Sequence, residues 1–211
     1  MVKQNSKKLL IGALLYVIIA VVLGLIINLM SLNNFESSIV LDLQSLFKGS
    51  LSIQFFSIIT YIGDFYFWIA FTIIYLTYSF SKSRKKFSNS VELAIFLILI
   101  TIVTYIFKEI FDRPRPYQHS LNVVPYVFED SSSYPSGHVT RAFGALLILS
   151  NRSKVARYLA YIGTFLLALS RIILGVHYPT DTIGAIFLSF AAWKLSNYIM
   201  QLLMTHGLIL Q

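Results

Sequence analysis

The sequence predicts an all-α, polytopic membrane protein with about six transmembrane helices and one amphipathic segment at the membrane surface. Three observations predict it. Of the 211 residues, 56% are hydrophobic and 12% charged, a balance that a water-soluble domain of this length could not hide in one core. Residues 9–30 form an apolar run without a charge, which meets the about 20 residues a helix needs to cross roughly 30 Å of hydrocarbon. Further long apolar runs recur to the end of the chain.

Residues 9–30 are the first span. Lys3, Lys7 and Lys8 precede it, as in a signal peptide, but the run is long for a cleaved leader and no small-residue cleavage site follows, so a retained helix is favoured. Residues 31–50 mix Leu, Ile and Phe with Glu36, Asp42 and Lys48, a pattern suited to an amphipathic segment on the membrane surface. Residues 51–80 carry Asp64 as their one charge and are too long for one untilted helix, so a break is expected near Gly63 with the second span after it. The third to sixth spans read 91–111, 139–150, 158–174 and 182–204. No linker, low-complexity tract or internal repeat divides the chain, so residues 1–211 are expected to form a single membrane-embedded domain.

Six spans put both termini on one side. On that side the N-terminus and the loops 81–90 and 151–157 hold ten Lys or Arg and no acid, which predicts a cytoplasmic face. The opposite loops, with Glu36, Asp42, Asp112, Glu129 and Asp130 among them, are expected outside. The net charge of +8 is therefore read as a topology signal, and nucleic acid is excluded as a partner. With no cysteine in the chain, disulfides, thiolate metal sites and cysteine nucleophiles are excluded together.

Polar residues with catalytic capacity gather at the outer ends of the third to sixth helices, where they are expensive and need a reason. The first patch runs from Lys108 through Asp112 and Arg113 to Arg115 and Pro116. Its lysine and arginines suit an anion, though alone they would also fit a basic cluster at the membrane border. The second, Tyr134-Pro-Ser136-Gly137-His138, opens the short fourth helix. Its unpaired amides, helix dipole and Ser136 hydroxyl favour an anion, and alone it would equally read as a capped helix with an interfacial histidine. Counted from Ser136 to Asn151, that helix is about 24 Å long at 1.5 Å per residue, which suggests a start below the membrane surface. The third, Ser170-Arg171 to His177-Tyr178-Pro179-Thr-Asp181, places Asp181 in the first turn of a helix opened by Pro179, close enough to hold one ring nitrogen of His177. A structural pair is the alternative. Jointly, three cations, a hydroxyl, oriented amides and two histidines form an inventory for phosphoryl transfer.

At these residues the sequence resembles the type 2 phosphatidic acid phosphatase superfamily, in its membrane lipid phosphatase branch. The family pattern, K-x6-R-P, then P-S-G-H, then S-R-x5-H-x3-D, is matched at every fixed position between Lys108 and Asp181. The resemblance implies a phosphohistidine intermediate on His177, oriented by Asp181, with His138 protonating the leaving oxygen. It implies that Lys108, Arg115, Ser136, Gly137 and Arg171 bind the phosphate, and that no metal or other cofactor takes part. The implied substrate is a lipid phosphate or pyrophosphate reached from the bilayer. A polyprenyl pyrophosphate cleaved to the monophosphate is preferred, with phosphatidylglycerophosphate or phosphatidate as the alternative. A haloperoxidase is disfavoured because those relatives are soluble, and a transporter or scaffold because the three-part motif is complete.

Outside the motifs, Asp64 is expected at a helix start and Lys194 to snorkel or pair between helices. Arg141 follows His138 by three residues and is expected to line the same face. His119 and His206 are expected to be bland.

Overall fold

The computed structural model describes residues 2–150 and 153–208. Among the described residues every regular element is helical. In chain order these are α1 (Val2–Leu29), α2 (Asn33–Leu46), α3 (Ser50–Ile59), a 3-10 turn (Thr60–Gly63), α4 (Phe65–Phe80), α5 (Arg84–Phe111), α6 (Pro116–His119), α7 (Gly137–Ser150), α8 (Lys154–Ile173) and α9 (Pro179–Thr205). Among the described residues, α1, α5, α8 and α9 are long and apolar enough to cross a membrane, and α3 with α4, bent by 49°, passes as a fifth span. The sixth expected span, α7, has 14 residues. At 1.5 Å per residue that is about 21 Å, less than the roughly 30 Å of a bilayer core, so by length the count is four or five.

The break between α3 and α4 falls where the sequence places it. The Asp64 carboxylate caps α4 by accepting the N–H groups of Tyr66 at 2.8 Å and Phe67 at 3.1 Å, so this acid starts a helix. Three helices start well before the expected span, α1 at Val2 instead of residue 9, and α5 and α8 under serine caps. α5 begins at Arg84 because Ser83 caps it, its hydroxyl accepting the Lys86 N–H at 3.2 Å. The basic cluster expected in a loop therefore forms the first turn of the helix. α8 likewise starts at Lys154 under a Ser153 cap. Asn151 and Arg152, part of the expected 151–157 loop, lie outside the described residues.

α9 packs along α1, α5 and α7. Leu93, Phe96, Ile100, Ala142, Ala145 and Leu188 fill the interior, while Ile11, Leu14, Ile74 and Ile102 face outward. With apolar groups on both sides, interior burial gains little from water exclusion, and close packing at small residues carries the association. Gly144 illustrates this: a Cβ there would lie 2.1 Å from the Phe96 ring. Lys194 extends between α1 and α9, its stem against Gly12 and its ammonium 5.9 Å from the centre of the Tyr16 ring.

The amphipathic α2 turns its polar stripe inward. Glu36, Ser37 and Gln44 are buried with Val40, while Phe35 and Leu46 are exposed. Gln44 donates to the carbonyls of Val124 at 2.7 Å and Ile173 at 3.0 Å and accepts the Val124 N–H, and this ties the loop before α7 to the end of α8. α2 therefore roofs the end of the bundle at which the three motif segments meet.

Candidate active site

Backbone bonds stitch the three motif segments together. Ser133 N–H donates to the Arg113 carbonyl at 2.8 Å and Ser136 N–H to the Asp181 carbonyl at 3.2 Å. The Ser132 hydroxyl accepts the Arg113 N–H at 2.9 Å. Asp112 allows the chain to leave α5 by adopting a left-handed conformation, φ 36°, which aspartate tolerates better than most residues.

His177 is fully buried in the connection between α8 and α9. Its Nδ1 lies 3.3 Å from Asp181 Oδ2, and its Nε2 faces Arg115 Nη1 at 3.5 Å. An acceptor carboxylate beside Nδ1 favours the tautomer with the proton there and the lone pair on Nε2. Burial pushes the His177 ring down to about 4; the hydrogen bond to Asp181 opposes this and the Arg115 charge adds to it. The ring is therefore neutral near pH 7.

Asp181 is itself fixed from three directions. Its Oδ2 accepts the Tyr178 N–H at 2.8 Å and the Ser133 hydroxyl, and its Oδ1 pairs with Arg113 Nη1 at 2.6 Å. The second arm of Arg113 reaches Glu36 at 2.5 Å, its Nε donates to Asn33 at 3.0 Å, and its guanidinium stacks 3.9 Å from the centre of the Tyr178 ring. Glu36 in turn accepts Thr180 N–H and hydroxyl at 2.8 and 2.7 Å. This buried chain from α2 to Asp181 is satisfied at each link, the condition under which buried charges are tolerated.

Facing His177 is a pocket walled by cations. Arg115 donates from Nε to the Ser131 carbonyl at 2.7 Å and from Nη1 to the Val176 carbonyl at 2.8 Å. Arg171 bonds Thr60 of the 3-10 turn. Ser136 and Gly137 open α7 next to Asp181, and the Ser136 hydroxyl and Arg171 Nε are both buried without a hydrogen-bond partner. His138, in the first turn of α7, packs against Gly63. Lys108 sits at the rim with its ammonium on the Ser132 carbonyl, which Arg115 Nη2 also approaches at 3.4 Å. The structure thus assembles all eight of the sequence-predicted site residues at one end of the bundle, with Lys108 the least directly engaged.

Glu129 is a site residue that motif reasoning did not find. Its carboxylate lies between Arg115 Nη2, at 2.8 Å, and Arg171 Nη2, with His138 Nδ1 at 3.5 Å and His177 Nε2 at 3.9 Å. Burial alone would raise this acid, but Arg171, then His177 and Arg115, hold it well below the usual carboxylate range. Arg141 packs, like His138, on the end of the 3-10 turn, with its guanidinium on the Gly63 carbonyl at 3.1 and 3.3 Å and 5.6 Å from the Phe65 ring centre. His119 is exposed beside Asn34, and His206 is exposed at the end of α9.

A helical bundle that holds a neutral, carboxylate-backed histidine against two guanidinium groups is an arrangement able to receive an anion beside a ring nitrogen with a free lone pair. The chain belongs to the PAP2 superfamily, whose sequence model matches residues 89–204. Over 142 residues it is 30% identical to the undecaprenyl-diphosphatase of Sulfolobus acidocaldarius, which covers 65% of this chain and 62% of that relative. Over 104 residues it is 27% identical to undecaprenyl-diphosphatase BcrC of Bacillus subtilis, covering 46% and 53%. The chain thus spans about half to three-fifths of the length of these curated relatives. Its fold superposes on the crystal structure of a transmembrane PAP2-type phosphatidylglycerolphosphate phosphatase from Bacillus subtilis with a TM-score of 0.73, at 24% identity, covering 88% of this chain and 94% of that one. The apolar helices and this family together make it an integral membrane protein.

Proposed function

We propose that the chain is a lipid phosphatase that cleaves a polyprenyl pyrophosphate to the monophosphate and inorganic phosphate through a covalent intermediate on His177. The observation that carries this reading is the His177 ring, with Asp181 behind Nδ1 and the Arg115 and Arg171 pocket in front of Nε2. The Nε2 lone pair attacks the terminal phosphorus, and the bond to the bridging oxygen breaks. That oxygen takes a proton from His138, whose charged form is disfavoured by burial and by Arg171 and favoured by a neighbouring anion, so the bound phosphate must supply that charge. Water then attacks the phosphohistidine and gives His138 back its proton, which frees His177 and phosphate. Asp181 holds the Nδ1 proton throughout, and Arg115, Arg171, Ser136 and the first amides of α7 receive the oxygens as their charge redistributes. Lys108 contributes charge from the rim.

Support for a lipid substrate comes from an apolar groove of about 290 Å³ between α4 and α5, lined by Phe65, Trp68, Leu97 and Ile102 and ending at Arg141 beside the site. The names of two curated relatives favour the pyrophosphate, whereas a third, phosphatidylglycerophosphatase B of Bacillus subtilis, 32% identical over 94 residues, favours a phosphatidylglycerophosphate. The fold likeness to a phosphatidylglycerolphosphate phosphatase favours a second reading, a glycerolipid monophosphate. We read residues 1–211 as one membrane domain with cytoplasmic termini and an extracytoplasmic site, which requires that the bent α3–α4 pair count as one span and that the 14-residue α7 also return the chain across the bilayer. Cysteines placed at Ser83 and Ser132 test this orientation: an impermeant reagent should reach the first from the cytoplasm and the second from outside, and the reverse pattern overturns it.

The function is tested by phosphate release in detergent from undecaprenyl pyrophosphate, phosphatidylglycerophosphate and phosphatidate. The pyrophosphate should be turned over fastest. Vanadate, a mimic of the five-coordinate phosphoryl group, should inhibit, and chelator should not. Activity lost in EDTA and restored by Mg²⁺ would overturn the mechanism.

A further inference from the structure

The pocket aimed at by His177 already contains an anion, and it belongs to the chain itself. The Glu129 carboxylate rests on the two guanidinium groups that the phosphate would need, and its Oε2 lies 3.9 Å from His177 Nε2. A phosphorus atom placed for attack, about 3–3.5 Å from that nitrogen, would occupy the space this carboxylate fills. The two anions are mutually exclusive.

The fit of Glu129 is also incomplete. A carboxylate offers two oxygens in a plane, whereas two further donors of the motif residues, the Ser136 hydroxyl and Arg171 Nε, are buried and without a partner. A tetrahedral oxyanion has the additional oxygens to meet them. Glu129 itself lies in the irregular stretch between α6 and α7, with its side chain 24% exposed. The stretch is bonded firmly on either side, at Val124 by Gln44 and at Ser131–Ser133 by Arg113 and Arg115, whereas residues 125–130 between them are tied by the Tyr117 hydroxyl to the Glu129 carbonyl at 2.8 Å and by Tyr126 N–H to the Leu174 carbonyl at 3.1 Å. A carboxylate so placed can leave toward the rim without unfolding a helix.

We propose that Glu129 is a tethered competitor for the phosphate subsite and so sets the concentration at which any phosphate occupies it. This rests on the reading of the pocket as a phosphate site. Every ligand must displace the same carboxylate, and each apparent dissociation constant is raised by one common factor, the inverse of the fraction of chains with the pocket open. A lipid concentrated in the bilayer, with its tail bound as well, still fills the site. Free phosphate, the product, is weak to begin with and is driven off. Glu129 thereby leaves the ratio between lipid and soluble phosphate unchanged but keeps the site from retaining free phosphate at concentrations that would otherwise fill it.

The test measures vanadate and inorganic phosphate as inhibitors, and the KM of the lipid substrate, for the full chain in detergent. In Glu129→Gln both inhibition constants and KM should fall together by at least about tenfold. Glu129→Asp keeps the charge but is one methylene short of the arginines, so it should also bind vanadate more tightly than the wild type. Saturating vanadate should raise amide exchange in residues 120–136 of the wild-type chain. Unchanged inhibition constants in Glu129→Gln, or a lowered kcat as its sole effect, would overturn the proposal. So would wild-type behaviour of Glu129→Asp beside tighter binding by Glu129→Gln, because the charge alone would then account for the effect. Exchange in 120–136 that ignores vanadate would also overturn it. A wild-type chain that binds neither vanadate nor phosphate would instead refute the reading of the pocket itself.

Discussion

Arg113 holds Asp181 at 2.6 Å with one arm and Glu36 at 2.5 Å with the other, so the acid behind His177 is aimed by a residue on α2. Arg113→Lys retains charge but has no fork to bridge two carboxylates. It should lower kcat with little change in KM, and since a misplacement of about 1 Å can be worth 10²-fold, the loss should approach that size. Glu36→Gln should lower kcat in the same direction by less, as Thr180 can still donate to the amide oxygen. Arg113→Ala leaves two buried carboxylates unpaired, which should destabilise the chain by about 3–5 kcal/mol. Steady-state kinetics and thermal unfolding in detergent separate these effects.

The acid limb of the rate profile should lie well below an ordinary histidine. His177 acts through a lone pair, and burial holds its ring down to about 4, so kcat/KM corrected for the substrate's own titration should fall only as pH approaches 4. Stability has a matching sign. The unfolded chain takes up this proton near pH 6.5 and the folded chain only near 4. Between those values the unfolded state binds more protons, so this group removes stability as pH drops from 6.5 toward 4 and adds no further change below. An acid limb centred at 6.5 that belongs to the enzyme would contradict the buried, neutral His177.

The two histidines should separate by leaving group. His177→Ala should abolish turnover of every substrate and leave no trappable phosphoenzyme. His138→Ala removes a proton donor, whose help is commonly worth about 10²–10⁴-fold. It should lose most on a lipid monophosphate, whose alkoxide is strongly basic, less on a pyrophosphate and least on an aryl phosphate. Equal losses on all three would assign His138 to binding.

Gly63 should tolerate no side chain. A Cβ there would lie 2.5 Å from His138 Cβ and 2.9 Å from its Cα, and a backbone atom at the start of α7 cannot rotate away. Gly63→Ala should destabilise by about 1–3 kcal/mol, as overpacking does, and should reduce turnover of a lipid monophosphate more than of an aryl phosphate because His138 is displaced.

The residues of the motif patches were legible because each patch is short and its chemistry adjacent in sequence. Their partners were not. Glu36 lies 77 residues from Arg113 and Thr60 lies 111 from Arg171, distances over which no periodicity carries information. Arg113 was visible among basic residues but had no role until Glu36 and Asp181 appeared on either side of it. For α2, the pattern indicated an amphipathic segment but not which way its faces turn. With apolar surroundings outside the bundle, the polar stripe of Glu36, Ser37 and Gln44 goes to the buried network instead of to water. The early start of α5 was missed because Arg84, Lys85 and Lys86 read as loop charge, whereas the Ser83 cap admits them to the helix.

The Tyr134 hydroxyl donates to the carbonyl of Ala20, in the middle of α1, at 2.6 Å. Taken with Glu36 on Arg113, Thr60 on Arg171 and Gly63 on Arg141, it means that every motif patch is anchored to something upstream of residue 64. A fragment cut to the stretch that carries the family signature would keep all eight candidate site residues and lose the mould that shapes them. The signature is therefore not a transplantable unit: grafting it onto another helical bundle would require a counterpart of α1, α2 and the 3-10 turn, and variation in those first 63 residues becomes a route by which activity can be tuned while the signature remains intact.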